Sequence, residues 1–212
     1  MFMMIWTKIM EKQFVVLDKS IGYNGFFKLM HYTVKHTLFA GGWSADMPRE
    51  VLERGHAVAV LPYDPVRDEV VLVEQFRAGA ISVAKTPDEA WLLEVVAGII
   101  EAGEQPLEVV HRETREEAGC EISDLIPLYH FFGSPGGAAE TTQLFCGRVD
   151  SSQIGGVYGI AEEHEDIQVH VVSFAESQRL LAEGKIRAAP AVIALQWLAL
   201  NRESLRQQWL AV

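Results

Sequence analysis

Between Gly98 and Cys120 the chain reads GIIEAGEQPLEVVHRETREEAGC, and its acidic residues recur at helical spacing. Pro106 suits the first turn of a helix and Gly119 the position just past its end, so the pattern predicts a helix over Pro106–Ala118. Glu113, Glu116 and Glu117 then share an arc roughly 100° wide. Leu107, Val110, Thr114 and Ala118 gather on the neighbouring arc, the side expected to face a core. Carboxylates at i, i+3 and i+4 repel one another, and these sit near the helix C-terminus, where the dipole disfavours negative charge. A solvated acidic face is the ordinary explanation for such glutamates. A bound divalent cation would relieve both penalties, and carboxylate oxygens are the hard ligands that Mg²⁺ prefers.

The skeleton is more specific than the charge. Gly98, Glu104, Arg112, Glu113, Glu116, Glu117 and Gly119 form a fixed frame, and seven such positions match by chance in about one chain in 10⁵ or fewer. The frame resembles the box of the Nudix hydrolase family, with Thr114 and Cys120 filling its two aliphatic positions as packing residues. The likeness runs from about Gly25 to Leu200 and points to the ADP-ribose pyrophosphatase branch. It implies an α+β chain. A Nudix fold, an α/β/α sandwich with a mixed sheet, would occupy residues 56–212. A small antiparallel β arm over residues 1–55 would precede it, exchanged in a homodimer.

The same resemblance implies hydrolysis of the pyrophosphate of ADP-ribose to AMP and ribose 5-phosphate. Two or three Mg²⁺ per site would be used, with Mn²⁺ as an alternative ion. Glu113 and Glu117 match the main metal ligands, Glu116 lies close to the metals, and the Ala97 carbonyl completes one coordination sphere. Arg112 and Glu104 are expected behind them, orienting the helix or serving a purely structural role. The acidic stretch 161–166 resembles a catalytic loop, in which Glu163 matches the general base and Glu165 a further metal ligand. His164 is the competing base, since its unperturbed pKa is near neutral.

Substrate contacts follow by the same matching. Phe26 and Phe27 fall near the adenine, Arg49 and Glu50 come from the partner subunit, and Arg54 and Arg77 lie near phosphates or ribose. Ile99 gives a backbone contact, Ser134 opens the Ser134–Gly137 turn whose proline marks the branch, and Glu140 follows it. Each aromatic would serve equally as core. Two rivals remain: a pyrophosphatase for another sugar such as GDP-mannose, and a sensor that binds ADP-ribose without cutting it.

Around these residues lie the elements that must position them. Strands are expected at Phe14–Asp18, Phe26–Leu38 and Glu50–Glu53, with turns at Gly22–Gly25 and Gly41–Gly42. His56–Tyr63 and Glu69–Gln75 read as a hairpin closed by residues 64–68. Further strands are expected at Trp91–Val96, Leu125–Phe132, Gln143–Val149 and Ile167–Ser173. Helices over Phe174–Glu183 and Ala189–Asn201 follow, before a polar tail.

The 212 residues, 49% hydrophobic and 22% charged, suit a globular domain carrying a small arm. A formal net charge of −11 argues against nucleic acid as partner. No apolar run approaches the roughly 20 residues of a membrane-spanning helix. The start, Met1–Met10, lacks the ordered regions of a secretory signal, so a cytoplasmic place is expected. Cys120 and Cys146 belong to no metal or redox motif and are expected as small buried residues.

Overall fold

The structure, a computed structural model, describes residues 11–211. The apolar start Met1–Met10 therefore lies outside the described residues. The described residues divide into two compact units, 11–54 with 134–140, and 55–133 with 141–211.

The first unit is a three-stranded antiparallel sheet ordered β1 (Phe14–Asn24), β2 (Lys28–His36), β3 (Met47–Glu53). The expected turn at Gly22–Gly25 is displaced. β1 continues through Gly22, where a side chain would collide with the His31 imidazole at 2.3 Å, and the bend falls at residues 25–27. Phe26 and Phe27 thus occupy the bend instead of opening β2, held by the Gly25 N–H on the Phe27 carbonyl at 3.1 Å. The turn at Gly41–Gly42 forms as expected, both glycines having positive φ. β1 is exposed along its whole length, although it carries Phe14, Val15, Val16, Leu17, Ile21 and Tyr23. The segment 134–140 joins this sheet through a parallel bridge between Leu52 and Ala138.

The second unit is built on a mixed eight-stranded sheet. Its main path runs β10 (Gly156–Tyr158), β11 (Ile167–Ser173), β5 (Glu69–Phe76), β4 (Ala57–Asp64), β9 (Thr141–Arg148), β8 (Asp124–Phe132). β4 and β9 are parallel, and the remaining pairs are antiparallel. The β4–β5 hairpin pairs only at its closed end, Tyr63 with Val70 and Asp64 with Glu69. Into the open end goes the segment expected as one strand at Trp91–Val96. It divides in two: β6 (Trp91–Glu94) pairs with β5, and β7 (Val96–Ile99) pairs with β4. The switch falls at Val95, which is buried under the third helix's cluster. β10 carries Gly156 and only three residues, too short a run to stand out as a strand.

Helices cover both faces. α1 (Pro106–Ala118) packs Val109, Val110 and Ala118 with Val58, Val60, Val71 and Val73. α2 (Phe174–Ala182) and α3 (Ala189–Leu210) cover Ala59, Leu61, Val70 and Leu72 on the other side. Alternate side chains of β4 and β5 therefore feed two cores, which is why both strands read as continuous apolar runs. α3 does not end at Asn201 in a polar tail. Leu205 and Trp209 are buried, Arg202 pairs with Asp68, and Arg206 donates to the Pro65 carbonyl at 2.9 Å, so the helix runs to Leu210. Cys120 and Cys146 are both buried.

Candidate active site

α1 begins as its sequence suggests. Pro106 stands in the first turn, Gln105 and Glu108 form a capping box, and Gly119 closes the helix at φ +60° with its N–H on the Arg115 and Thr114 carbonyls. Its inward face is rotated from expectation. Leu107 is 53% exposed, whereas Val109 joins Val110, Thr114 and Ala118 inside. Glu113 and Glu117 are buried with them. The acidic arc thus faces protein, with β7 beneath it.

Two contacts fix that docking. The Ala97 N–H donates to Glu117 Oε2 at 3.0 Å. At Gly98 a Cβ would stand 1.8 Å from Glu113 Oε1, so only glycine leaves room for the carboxylate. At the far end, a side chain on Gly119 would meet the Tyr158 ring at 2.3 Å, and the Gly159 N–H donates to the Glu116 carbonyl at 3.1 Å. The loop after β10 is in this way tied to the end of α1.

That loop delivers Glu165. Its Oε2 accepts the Ile160 N–H at 3.1 Å, and its charge bears on both Glu113 and Glu117. Burial raises the Glu113 pKa to about 7, with Arg112 opposing and Glu116 and Glu165 adding to the rise. Burial likewise lifts Glu117 to about 8. The Ala97 N–H opposes this, Glu113 and Glu165 reinforce it, and Arg77 opposes it again. Glu163 closes a short 3₁₀ turn, Ala161–Glu163, and is exposed, as is His164 at φ +59°.

Positive charge enters from two sides. Arg112 Nη1 donates to Glu113 at 2.8 Å and Glu116 at 3.0 Å, while its Nε lies 3.3 Å from Glu104 Oε1. Burial works against the guanidinium, yet these carboxylates hold its pKa above the ordinary value. Glu104 also accepts the Glu101 N–H at 2.9 Å, which shapes the loop before α1. Arg77, just past β5, places its Nε 2.6 Å from Glu94 on β6. The Arg77–Glu94 pairing was not read from the sequence, because residues 17 apart meet only through the β5–β6 ladder. Ile99 lies in β7 opposite Ala57.

The donor set is all hard oxygen, crowded and reluctant to ionise together, and in chemistry it fits a divalent cation such as Mg²⁺. Among the described residues no three acidic, His or Cys side chains already stand in a cation-binding arrangement. Arg112, Ala97 and Ile160 hold oxygens of Glu113, Glu116, Glu117 and Glu165 instead.

In the first unit, Phe26 and Phe27 pack edge to face with centroids 4.8 Å apart. The Arg54 guanidinium lies over Phe27 at 5.0 Å and its Nε 2.8 Å from Glu140. The Ser134 carbonyl accepts the Gly137 and Ala138 N–H groups. Arg49 and Glu50 lie apart from this group on β3: Arg49 donates to the Pro48 carbonyl at 2.7 Å, and Glu50 faces His31 at 3.7 Å.

The NUDIX domain model matches residues 53–197. An ADP-ribose pyrophosphatase of Escherichia coli (strain K12) is 48% identical over 194 residues, 92% of this chain and 91% of the relative. One from Haemophilus influenzae is 44% identical over 214 residues, covering 98% and 99%. A GDP-mannose pyrophosphatase of Klebsiella pneumoniae is 32% identical over 188 residues, covering 87% and 90%. A crystal structure of an ADP compounds hydrolase superposes with a TM-score of 0.66 at 18% identity, over 91% of this chain and 97% of that one, a likeness of fold. The chain belongs to the Nudix family of hydrolases.

Proposed function

We propose that this hydrolase splits the pyrophosphate of ADP-ribose into AMP and ribose 5-phosphate with the help of Mg²⁺. The observation that carries the reading is the meeting of Glu165 with Glu113 and Glu117, over the glycine that leaves room for Glu113, with Glu113 and Glu116 both on Arg112. Relatives with the ADP-ribose name reach 44–48% identity over more than nine-tenths of both chains, against 32% for the GDP-mannose relative.

In this reading Glu113, Glu117, Glu116 and Glu165, with the Ala97 carbonyl, hold two or three Mg²⁺. When bound, such ions neutralise the diphosphate and lower the pKa of the attacking water. Glu163 takes the proton from that water, its exposed loop position leaving it free to approach. Arg112 and Glu104 keep the metal-holding glutamates oriented. Arg77 and Arg54 receive phosphate or ribose oxygens, Ile99 and Ser134 offer backbone contacts, and Glu140 steadies Arg54.

The first unit serves as an exchanged arm of a homodimer. Its long exposed edge strand with apolar side chains supports this, since such an edge is a liability unless another chain covers it. Phe26 and Phe27 then stack on adenine, and the partner subunit adds its own Arg49 and Glu50. The net charge of −11 supports a reading in which nucleic acid is not a partner. No described helix is long and apolar enough to cross a membrane, and the protein is taken to work in the cytoplasm.

An assay with ADP-ribose, ADP-mannose and GDP-mannose side by side, with and without Mg²⁺, tests this. Mg²⁺-dependent release of AMP fastest from ADP-ribose is expected. Preference for GDP-mannose would hand the chain to the rival activity.

A further inference from the structure

Gln75 carries the one buried side-chain nitrogen among the described residues that has no hydrogen-bond partner. The residue is 7% exposed. A buried amide left unpaired costs free energy comparable to a lost hydrogen bond, so such a group calls for an explanation. Turning the amide over would only put its oxygen in the same position.

Strand alternation says which way it faces. On β5, Val71 and Val73 pack with Val109 and Val110 of α1, so Gln75 and then Arg77 continue the same face. On the neighbouring β6, Glu94 is opposite Val73 and Leu92 opposite Gln75. The Arg77–Glu94 ion pair therefore joins positions on either side of Gln75 along that face, and the Arg77 charge bears on Glu117. Glu117 is the most deeply buried carboxylate there, at 3% exposure. Its Oε2 takes the Ala97 N–H, while Oε1 accepts no hydrogen bond from the described residues. One buried donor without an acceptor and one buried carboxylate with acceptor capacity thus share a face under one arginine.

We propose that Gln75 is a positioning residue, its amide N–H turning to the Glu117 carboxylate when that group takes up the divalent cation. This rests on the metal-holding role assigned to Glu117 above. It explains why an amide with an unpartnered N–H persists inside the apolar run of β5. A partner of this kind, behind a metal ligand, is worth about 10–100-fold in metal affinity.

Calorimetric titration of Mg²⁺ into the wild-type protein and Gln75→Met, well below both melting temperatures, is the test, together with the Tm of each without metal. Gln75→Leu stands in should the methionine variant not fold. A tenfold or greater loss of Mg²⁺ affinity with an equal or higher metal-free Tm is expected. Unchanged affinity, whatever the Tm, overturns the inference for Gln75 while leaving the hydrolase reading intact. Absence of Mg²⁺ uptake by the wild-type protein overturns both.

Discussion

Gly98 and Glu113 occupy each other's space: the hydrogen at Gly98 stands where any Cβ would lie 1.8 Å from the Glu113 carboxylate. The Glu113 side chain therefore lies directly on the β7 backbone. Gly98→Ala should push Glu113 outward and cost at least about 100-fold in kcat/KM, because an ångström of misplacement at a reacting centre has effects of that size. Far-ultraviolet circular dichroism should stay the same. Full activity in the alanine variant would mean that Glu113 is free to move without consequence.

Glu117→Gln should lower Mg²⁺-dependent turnover by about 100-fold or more, since a carboxylate that neutralises and polarises through a metal supplies several kcal/mol. The metal-free protein should melt at a higher temperature, because an ionisable group no longer has to be accommodated where burial disfavours its charge. Turnover and melting measured on one preparation separate the two effects. A fall in both would show that Glu117 is structural.

The raised pKa values of Glu113, about 7, and Glu117, about 8, set the direction of a pH effect. Both exceed the ordinary carboxylate value of 4.5. The unfolded chain releases these protons first, so their contribution to stability is complete below about pH 4.5 and is lost as pH rises through the folded values. Without metal, the Tm should fall between about pH 5 and 8 on this account, and millimolar Mg²⁺ should restore most of it at pH 8 by binding the folded state alone. A metal-free Tm that rises over this range would contradict the burial argument.

Arg112 bonds Glu104, Glu113 and Glu116 together. Arg112→Ala leaves the buried Glu113 without its countercharge and should cost about 1–3 kcal/mol in stability, with about a 10–100-fold loss of activity. Arg112→Lys offers a point charge in place of a fork and should recover only part of either. Chemical denaturation and initial rates would show it. Recovery of full activity by lysine would reduce the fork to a simple charge.

The clasp between Arg202 and Asp68, joined by the Tyr63 hydroxyl on Asp68 Oδ1 at 2.7 Å, secures α3 to the β4–β5 turn. The Arg202 hydrogen bond, opposed by burial, holds Asp68 below the ordinary carboxylate pKa. Its stabilisation is therefore present above the unfolded pKa and lost as pH falls through the folded one. Asp68→Asn, which suits the left-handed φ of +61°, should cost about 1–2 kcal/mol after allowance for partial exposure. kcat should not change. A drop in kcat at equal stability would tie this distant end of the sheet to catalysis.

Much of this could be read from the chain because it is local. The helix carrying the carboxylates has its proline and terminal glycine within its own sequence, and the apolar runs of β4 and β5 announce strands. What escaped reading is long-range. Leu107 was expected inside because helical spacing gives relative angles, not the rotation of the helix against its sheet. The division of 91–99 between two strands depends on the hairpin opening. The end of α3 depends on Leu205 and Trp209 finding a surface that begins at residue 63. Gln75 carries no local signal, and only the strand alternation and the β5–β6 ladder put it on the face shared by Arg77 and Glu94.

The shared segment 91–99 has one more consequence. Its first half holds Glu94 against Arg77 and its second half holds Ala97 and Gly98 against the glutamates of α1. A single residue added or lost within it would turn side chains to the opposite face on one partner or the other, with no short adjustment that restores both. Length variation between relatives of this protein should accordingly collect in the loop at 78–90 and spare these nine positions.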